Sequence, residues 1–158
     1  MFLFKEIVKN ACIMIKAAQI LQIPIIVTEQ YPKGIGRTAP PIAEALGDFH
    51  PIEKVHFSCF KVKEFLSHLQ KIDRKNLMIM GIESHVCINQ TVQDAIKGNY
   101  RAYVLEDTIS SRTEMNHRIA LQRMRLAGAI PSSAEMVIFE LLMKAGTPEF
   151  KEILQFVK

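Results

Sequence analysis

Apolar positions along this chain follow two alternating rhythms, and the alternation predicts the architecture. Ile7, Ala11, Met14, Ala18 and Leu21 recur at helical spacing and predict an amphipathic helix from Lys5 to Gln22. Pro24 stops it, and Ile23 to Thr28 is a continuous β-branched run of the kind found in buried parallel strands. Glu29 to Gly47 holds Pro32, Gly34, Gly36, Pro40 and Pro41, which predicts a long structured loop. Val55 to Phe57 reads as a short extended piece, and Phe60 to Ile72 as a helix with Val62, Phe65, Leu66 and Leu69 on one face. Leu77 to Ile82 is a second buried strand. Val86 to Gly98 is a helix with Ile88, Val92, Ala95 and Ile96 inward, closed by Gly98.

The same alternation continues to the end. Arg101 to Leu105 is a third strand, Arg112 to Ala127 a helix, and Ala129 to Pro131 a brief strand. Ser132 and Glu135 have capping-box spacing at the start of a helix reaching about Lys144. Thr147-Pro148 opens a short terminal helix, with Pro at the tolerated first position. Strands separated by helices mean βαβ units and a parallel sheet covered on both faces. No linker or compositional shift divides the 158 residues, so one α/β domain spanning 1–158 is expected.

Composition narrows the function classes. The chain is 49% hydrophobic and 23% charged, and no apolar run approaches the roughly 20 residues of a membrane helix. Met1-Phe2-Leu3-Phe4 is too short for a signal-peptide hydrophobic region, so a cytoplasmic protein is expected, with a mitochondrial location left open. The net charge of +4 comes from Lys and Arg scattered among acids, with no basic tract and no aromatic-rich basic stretch. Nucleic acid and membrane are therefore not expected partners. Cys12, Cys59 and Cys87 are odd in number and lack CxxC spacing, which argues against a disulfide framework or a structural zinc site.

In an open α/β sheet, ligands bind beyond the carboxyl ends of the strands. That rule selects the loop after Thr28, the residues around Lys54, the segment Ser84–Cys87, and Asp107–Arg112. Cys87 follows a buried strand and sits in the first turn of the next helix, where unpaired N–H groups favour a thiolate and can hold an oxyanion. A small buried hydrophobe is the competing reading of the same residue. Lys54 could stabilise negative charge, against the reading of a solvated lysine. Asp107 precedes Thr108 and Ser110-Ser111, where capping of the next element competes with an acid/base role. A tyrosine-phosphatase loop would need Arg six positions after the cysteine, where Gln93 stands.

These residues form a recognisable set. Gly81-Ile82-Glu83-Ser84-His85-Val86-Cys87-Ile88 resembles the nucleophile motif of the isochorismatase-like cysteine hydrolases. Thr28 to Gly36, Lys54 with Phe57-Ser58, and Asp107 with Ser110-Ser111-Arg112 resemble the branch of isochorismatase domain-containing proteins. The resemblance runs in order from about Ile7 to Lys158. It implies a three-layer αβα, Rossmann-like fold with a central parallel sheet of about six strands. It also implies Cys87 as nucleophile, Lys54 as its charge partner, and the N–H groups of Glu83 and Cys87 as oxyanion hole after a cis peptide. Ser84, Gln30, Tyr31 and Asp107 are supporting candidates. Hydrolysis of a small amide, carbonyl or ether-type metabolite follows, in a homodimer or higher homo-oligomer.

One expected part has no counterpart. The resemblance implies an Asp at the end of a first strand, acting as general base, yet only Met1–Phe4 precede the helix that matches the family's first helix. The expectation is an N-terminally shortened domain with a gap between neighbouring strands, unless Met1–Phe4 and a partner chain compensate. Loss of a general base costs roughly 10²–10⁴-fold in rate. Asp107 is the nearby acid to nominate as substitute, and a catalytically silent member acting through oligomerisation or partner binding is the alternative. The segment Glu29 to Arg37 has no His or Asp of the kind that metal-dependent relatives carry there. His50, His56, His68, His85 and His117 are not at ligand spacing and read as exposed or capping residues, so no metal or other cofactor is expected.

Overall fold

The computed structural model describes Met1 and residues 3–157; Phe2, within the Met1–Phe4 start, and Lys158 lie outside the described residues. Helix α1, Phe4–Ile20, forms on the predicted stripe and buries Ile7, Ala11, Met14, Ile15, Ala17 and Ala18. The described residues form two parallel sheets. In one, β1 (Thr28–Gln30) pairs with β2 (Ile52–Lys54). In the other, β3 (Asn76–Ile82), β4 (Arg101–Ser110) and β5 (Ile130–Ser132) pair in that order. Between strands run α2 (Pro32–Ile35), α3 (Pro40–Leu46), α4 (Lys63–Ile72), α5 (Asn89–Lys97) and α6 (Glu114–Leu126), and α7 (Ala134–Leu142) and α8 (Pro148–Val157) follow β5.

Period-two alternation along β4 builds the three layers. Tyr103 and Leu105 face α1, α7 and α8, while Ala102 and Val104 face α5 and α6. Leu105 and Ile138 are fully buried on the first side, and Val92 and Ala95 on the second. A third, smaller cluster of Ile52, Phe65 and Leu69 packs α4 against the two-stranded sheet. The fold is α/β with parallel sheets and helices on both faces, as expected.

The predicted gap is present. Among the described residues, β1 is laddered only to β2, and β3 only to β4. Between them lies a slot of about 600 Å³ lined by residues 23–30 on one side and 76–82 on the other. Both walls have the same polarity, because Gln30 at the carboxyl end of β1 lies 3.8 Å from Cys87, just beyond the carboxyl end of β3.

The gap explains most departures from the sequence-based elements. The run Ile23–Thr28 is not a buried strand: only Thr28 enters a ladder, and Ile25 is exposed. A β-branched run becomes a strand when a neighbour accepts its hydrogen bonds, and here one side is vacant of any strand. For the same reason the inner residues of β3 are half-buried instead of buried. Other differences are local. The extended piece is Ile52–Lys54, whose Ile52 is buried, while Val55 and Phe57 stand exposed. The loop from Glu29 to Gly47 contains α2 and α3, each begun by a proline. Val62 is extended and divides the helix from Phe60 into a 3₁₀ turn, Cys59–Lys61, and α4.

Two more differences bear on the site. A π-helical turn, Ser84–Ile88, leads into α5 in place of a regular first turn. β4 continues to Ser110 across an irregularity: Ile79 pairs with Val104, but Gly81 pairs with Ile109. Finally, Ser133 and not Ser132 caps α7, its Oγ accepting from the Met136 N–H at 3.2 Å, because Ser132 is held in β5 opposite Leu105.

The packing generates a direct expectation. Ile138→Ala should cost about 2–5 kcal/mol, since the residue is fully enclosed between α1 and β4. Leu126→Ala, 82% exposed, should stay within about 0.5 kcal/mol. Urea unfolding of both checks this, and equal midpoints would contradict the layer assignment.

Candidate functional site

The carboxyl ends of β1, β2 and β3 converge, and their terminal residues meet there. Lys54 closes β2 with its side chain buried, 6% exposed, among neutral acceptors. Its Nζ donates to Gln30 Oε1 at 2.6 Å, to the Phe57 carbonyl at 3.0 Å and to the His56 carbonyl at 3.2 Å. The register that sets Gln30 opposite Lys54 creates the first contact. Gln30 is fixed in turn by its Nε2, which donates to the Val55 carbonyl at 2.8 Å. The Lys54 turn is anchored from behind: Ser58 Oγ donates to Asp94 Oδ2 at 2.8 Å, and the Cys59 N–H donates to Thr91 Oγ1 at 3.1 Å.

Cys87 enters from the π-helical turn, its Sγ at 3.8 Å from Gln30 Oε1. The structure therefore brings Cys87, Gln30 and Lys54 together, as anticipated. Ile82-Glu83 is a cis peptide. The expected depressed thiol is not found. Burial pushes Cys87 up from its ordinary value, and the Lys54 charge and a backbone hydrogen bond from Glu83 only partly oppose it. The Glu83 carboxylate is turned to the rim, where Arg112 Nε meets it at 2.9 Å.

Tyr31 lies at the edge. Its N–H donates to the Lys54 carbonyl at 2.8 Å, and its half-exposed ring packs over Gly34, where any Cβ would strike the ring. Asp107 is placed elsewhere. It sits in the irregular stretch of β4, and its Oδ1 accepts from the Ala134 N–H at 2.9 Å, capping α7. That is the capping role, and Asp107 does not line the slot.

Two features escaped the sequence reading. Glu29, 5% exposed, lines the slot and accepts from the Thr38 N–H at 2.8 Å, Thr38 Oγ1 at 2.7 Å and Arg37 Nη1 at 2.9 Å. Burial pushes its carboxyl up, yet the bonds from Thr38 and Arg37 outweigh burial and hold it below its ordinary value. The signal was an acid inside a short β run followed by Arg37-Thr38. The second feature is a buried network beneath the Cys87 turn. Ser84 Oγ bonds Ser111 Oγ and lies 3.1 Å from His117 Nδ1, and His85 Nδ1 is 2.9 Å from Ser111 Oγ. His117 is thus buried, not exposed or capping, and Ser84 supports the turn from within. Among the described residues no three His, Cys, Asp or Glu side chains converge as metal ligands.

Two pH measurements follow. Alkylation of Cys87 should be slow at neutral pH and rise on the alkaline side; Lys54→Ala should move the profile to still higher pH by removing an opposing positive charge. Superimposable profiles would mean that the Lys54 charge does not reach the sulfur. For His117, burial lowers the pKa from 6.5, against the pull of Glu106 and Glu114. The unfolded chain then takes up the proton first, so stability is intact above about pH 6.5 and falls below it. His117→Gln should flatten that part of a stability–pH curve.

Comparison with known proteins agrees with this geometry. The isochorismatase domain profile matches residues 1–136. Isochorismatase domain-containing protein 2 of Xenopus laevis is 37% identical over 98% of this chain and 74% of its own. The secreted isochorismatase effector Isc1 of Phytophthora sojae is 36% identical over 99% of this chain and 77% of its own. The solved structure of the MAR1 ribonuclease from Caenorhabditis elegans superposes with a TM-score of 0.90 at 38% identity, covering 98% of this chain and 80% of that one. YcaC of Escherichia coli, described as an octameric hydrolase of unknown specificity, shares the fold with a TM-score of 0.88 at 20% identity, over 96% and 76% of the two chains. Profile over residues 1–136 and relatives and superposition over nearly the whole sequence agree, and the chain belongs to the isochorismatase domain family.

Proposed function

We propose that the chain is a cysteine hydrolase of a small amide or related carbonyl compound, with Cys87 as nucleophile and Lys54 as its charge partner. The observation that carries this reading is the meeting of Cys87 Sγ, Gln30 Oε1 and Lys54 Nζ where three strand ends converge. In the proposed reaction the deprotonated sulfur attacks the carbonyl carbon, and the carbonyl electrons move onto oxygen. The N–H groups of Glu83 and Cys87 hold that oxyanion, and Lys54 balances the added negative charge. Collapse re-forms the carbonyl and expels the amine, which takes a proton from water. A second water then adds to the thioester, releasing the acid and returning the proton to sulfur.

The unresolved demand in this scheme is the first deprotonation. Burial pushes the Cys87 thiol up from its ordinary value, and the groups that oppose it are the Lys54 cation and the Glu83 backbone, with the neutral Gln30 amide alongside. That combination favours a second reading: a member that keeps the site's shape while working through oligomerisation or partner binding. A homo-oligomer fits both readings, since YcaC, which shares the fold, is described as octameric.

The two readings separate in one assay. Turnover of a panel of small amides and esters is measured for wild type, Cys87→Ala and Lys54→Ala, with a short RNA included because of the ribonuclease relative. The hydrolase reading expects Cys87→Ala to lose at least roughly 10³-fold and Lys54→Ala roughly 10²-fold, without loss of cooperative melting. Turnover that survives Cys87→Ala removes the nucleophile. No turnover on any panel member, with the fold intact, selects the silent reading.

A further inference from the structure

We infer that Cys59 and Cys87 form a dithiol pair, a reversible oxidation site at which a small-molecule disulfide closes a Cys59–Cys87 bond. The pair is argued from its placement; that closing it switches the site off rests on the hydrolase reading of Cys87.

Two separate frames set the thiols side by side. The first is β1. Thr28 Oγ1 lies 3.7 Å from Cys59 Sγ, and Gln30 Oε1 lies 3.8 Å from Cys87 Sγ. Thr28 and Gln30 are two places apart in one strand and so point to the same face, with about 7 Å between their Cα atoms. The second frame is helical. The Cys59 N–H donates to Thr91 Oγ1 at 3.1 Å, and Thr91 stands one turn beyond Cys87, where the π-helical turn runs into α5. Residues one turn apart on a helix are neighbours, at about 5–6 Å. Cys59 is therefore held at its backbone by a residue one turn from Cys87. At its sulfur it meets a residue two places from the one that touches Cys87. A disulfide spans Cα atoms about 4.4–6.8 Å apart, and both frames have steps of that size.

The thiols are free and neither is fully buried. They also sense each other, since charge on Cys59 is among the causes that push Cys87 up. Apolar filler is the competing reading of Cys59, because it packs against the cluster of Ile52, Phe65 and Leu69. Its sulfur is nonetheless turned to the Thr28 hydroxyl, on the strand face that also meets Cys87. Cys12 is the internal contrast: it lies on α1, and its Sγ donates to the Pro41 carbonyl at 3.4 Å.

In the proposed step the thiolate of one cysteine attacks the small disulfide. The S–S bond of that molecule breaks, and one small thiolate leaves and takes up a proton. The second cysteine, deprotonated in turn, attacks the protein sulfur of the mixed disulfide, and the second small thiolate leaves. Two protein thiols are oxidised, and one disulfide is reduced to two thiols. The protons lost by the protein are those gained by the leaving groups. Cys87 Sγ is then bonded to sulfur and cannot attack a carbonyl.

The test incubates the whole chain with oxidised glutathione at about pH 8.5, where thiolate is available. Free thiols, intact mass, linked peptides and melting are read. Two of the three thiols should be lost, with Cys59 and Cys87 recovered as one linked peptide pair and the cooperative melt retained. Fewer than roughly a tenth of the chains should carry glutathione, because the second cysteine is present at high effective concentration. Iodoacetamide labelling of Cys87 should fall at least roughly tenfold and return on treatment with dithiothreitol. Cys59→Ser should instead trap glutathione on Cys87, while Cys12→Ser should behave as wild type. The inference is overturned if both cysteines keep their own glutathione, or if neither thiol is lost, which is the behaviour of apolar filler. It is also overturned if Cys12 enters the bond, or if the bond forms only as the cooperative melt disappears. Every readout is of sulfur and none is of turnover, so inactivity on every amide, ester and RNA removes the hydrolase reading and leaves these outcomes as decisive as before.

Discussion

Backbone pairing is the constraint on which the rest of this structure depends. A strand buried on both faces is stabilised when both of its edges are hydrogen-bonded, and an unpaired buried backbone group costs about as much as a lost hydrogen bond, roughly 1–3 kcal/mol. β4 meets the condition, with β3 and β5 beside it, and its Leu105 and Val104 organise the two principal clusters. β1 and β3 do not meet it on their facing edges. The consequence is visible along the chain: the β-branched run before Thr28 stays outside any ladder, and β3 remains half-buried. What looks like several unrelated departures from a regular α/β sheet is one missing set of hydrogen bonds.

How much was legible in the sequence divides along the same line. Elements that satisfy themselves locally could be read: α1 from its stripe of Ile7, Ala11, Met14 and Ala18, and α8 from Thr147-Pro148, whose Thr147 Oγ1 accepts from the Phe150 N–H. Elements that depend on a distant neighbour were read less well. Residues 106–110 extend β4 only because Gly81 and Ile82 accept them in a shifted register, and no local pattern announces that. Ser132 and Ser133 are equally good caps by composition, and the choice is made by Leu105 across the ladder.

The site shows the same split. The meeting of Cys87, Lys54 and the segment after Thr28 was legible because strand ends are where α/β sheets place ligands, whereas Gln30 came from the resemblance alone. The electrostatics were not legible. A helix start lowers a thiol pKa only if desolvation does not exceed the dipole, and that balance needs the burial of the sulfur, set by the neighbouring strands and loops. Asp107 was ambiguous for a related reason: an acid at a strand end faces either the ligand or the next helix, and the irregularity between Ile79 and Gly81 decides for α7.

The buried network of Ser84, Ser111, His85 and His117 shows why the Cys87 turn keeps its form beside an open slot. It ties the π-helical turn to the end of β4 and to α6, on the side of the sheet where packing is complete. Among the described residues, no buried side-chain nitrogen or oxygen lacks a hydrogen-bond partner, so nothing in that network is gained by rearranging. The lysine side has a different support, since Ser58, Asp94, Cys59 and Thr91 fix its turn against α5. Cys87 and Lys54 are thus each held through α5 and its approaches, independently of the strand edges that face the slot. The chemical groups retain their mutual geometry even though the sheet between their strands is discontinuous.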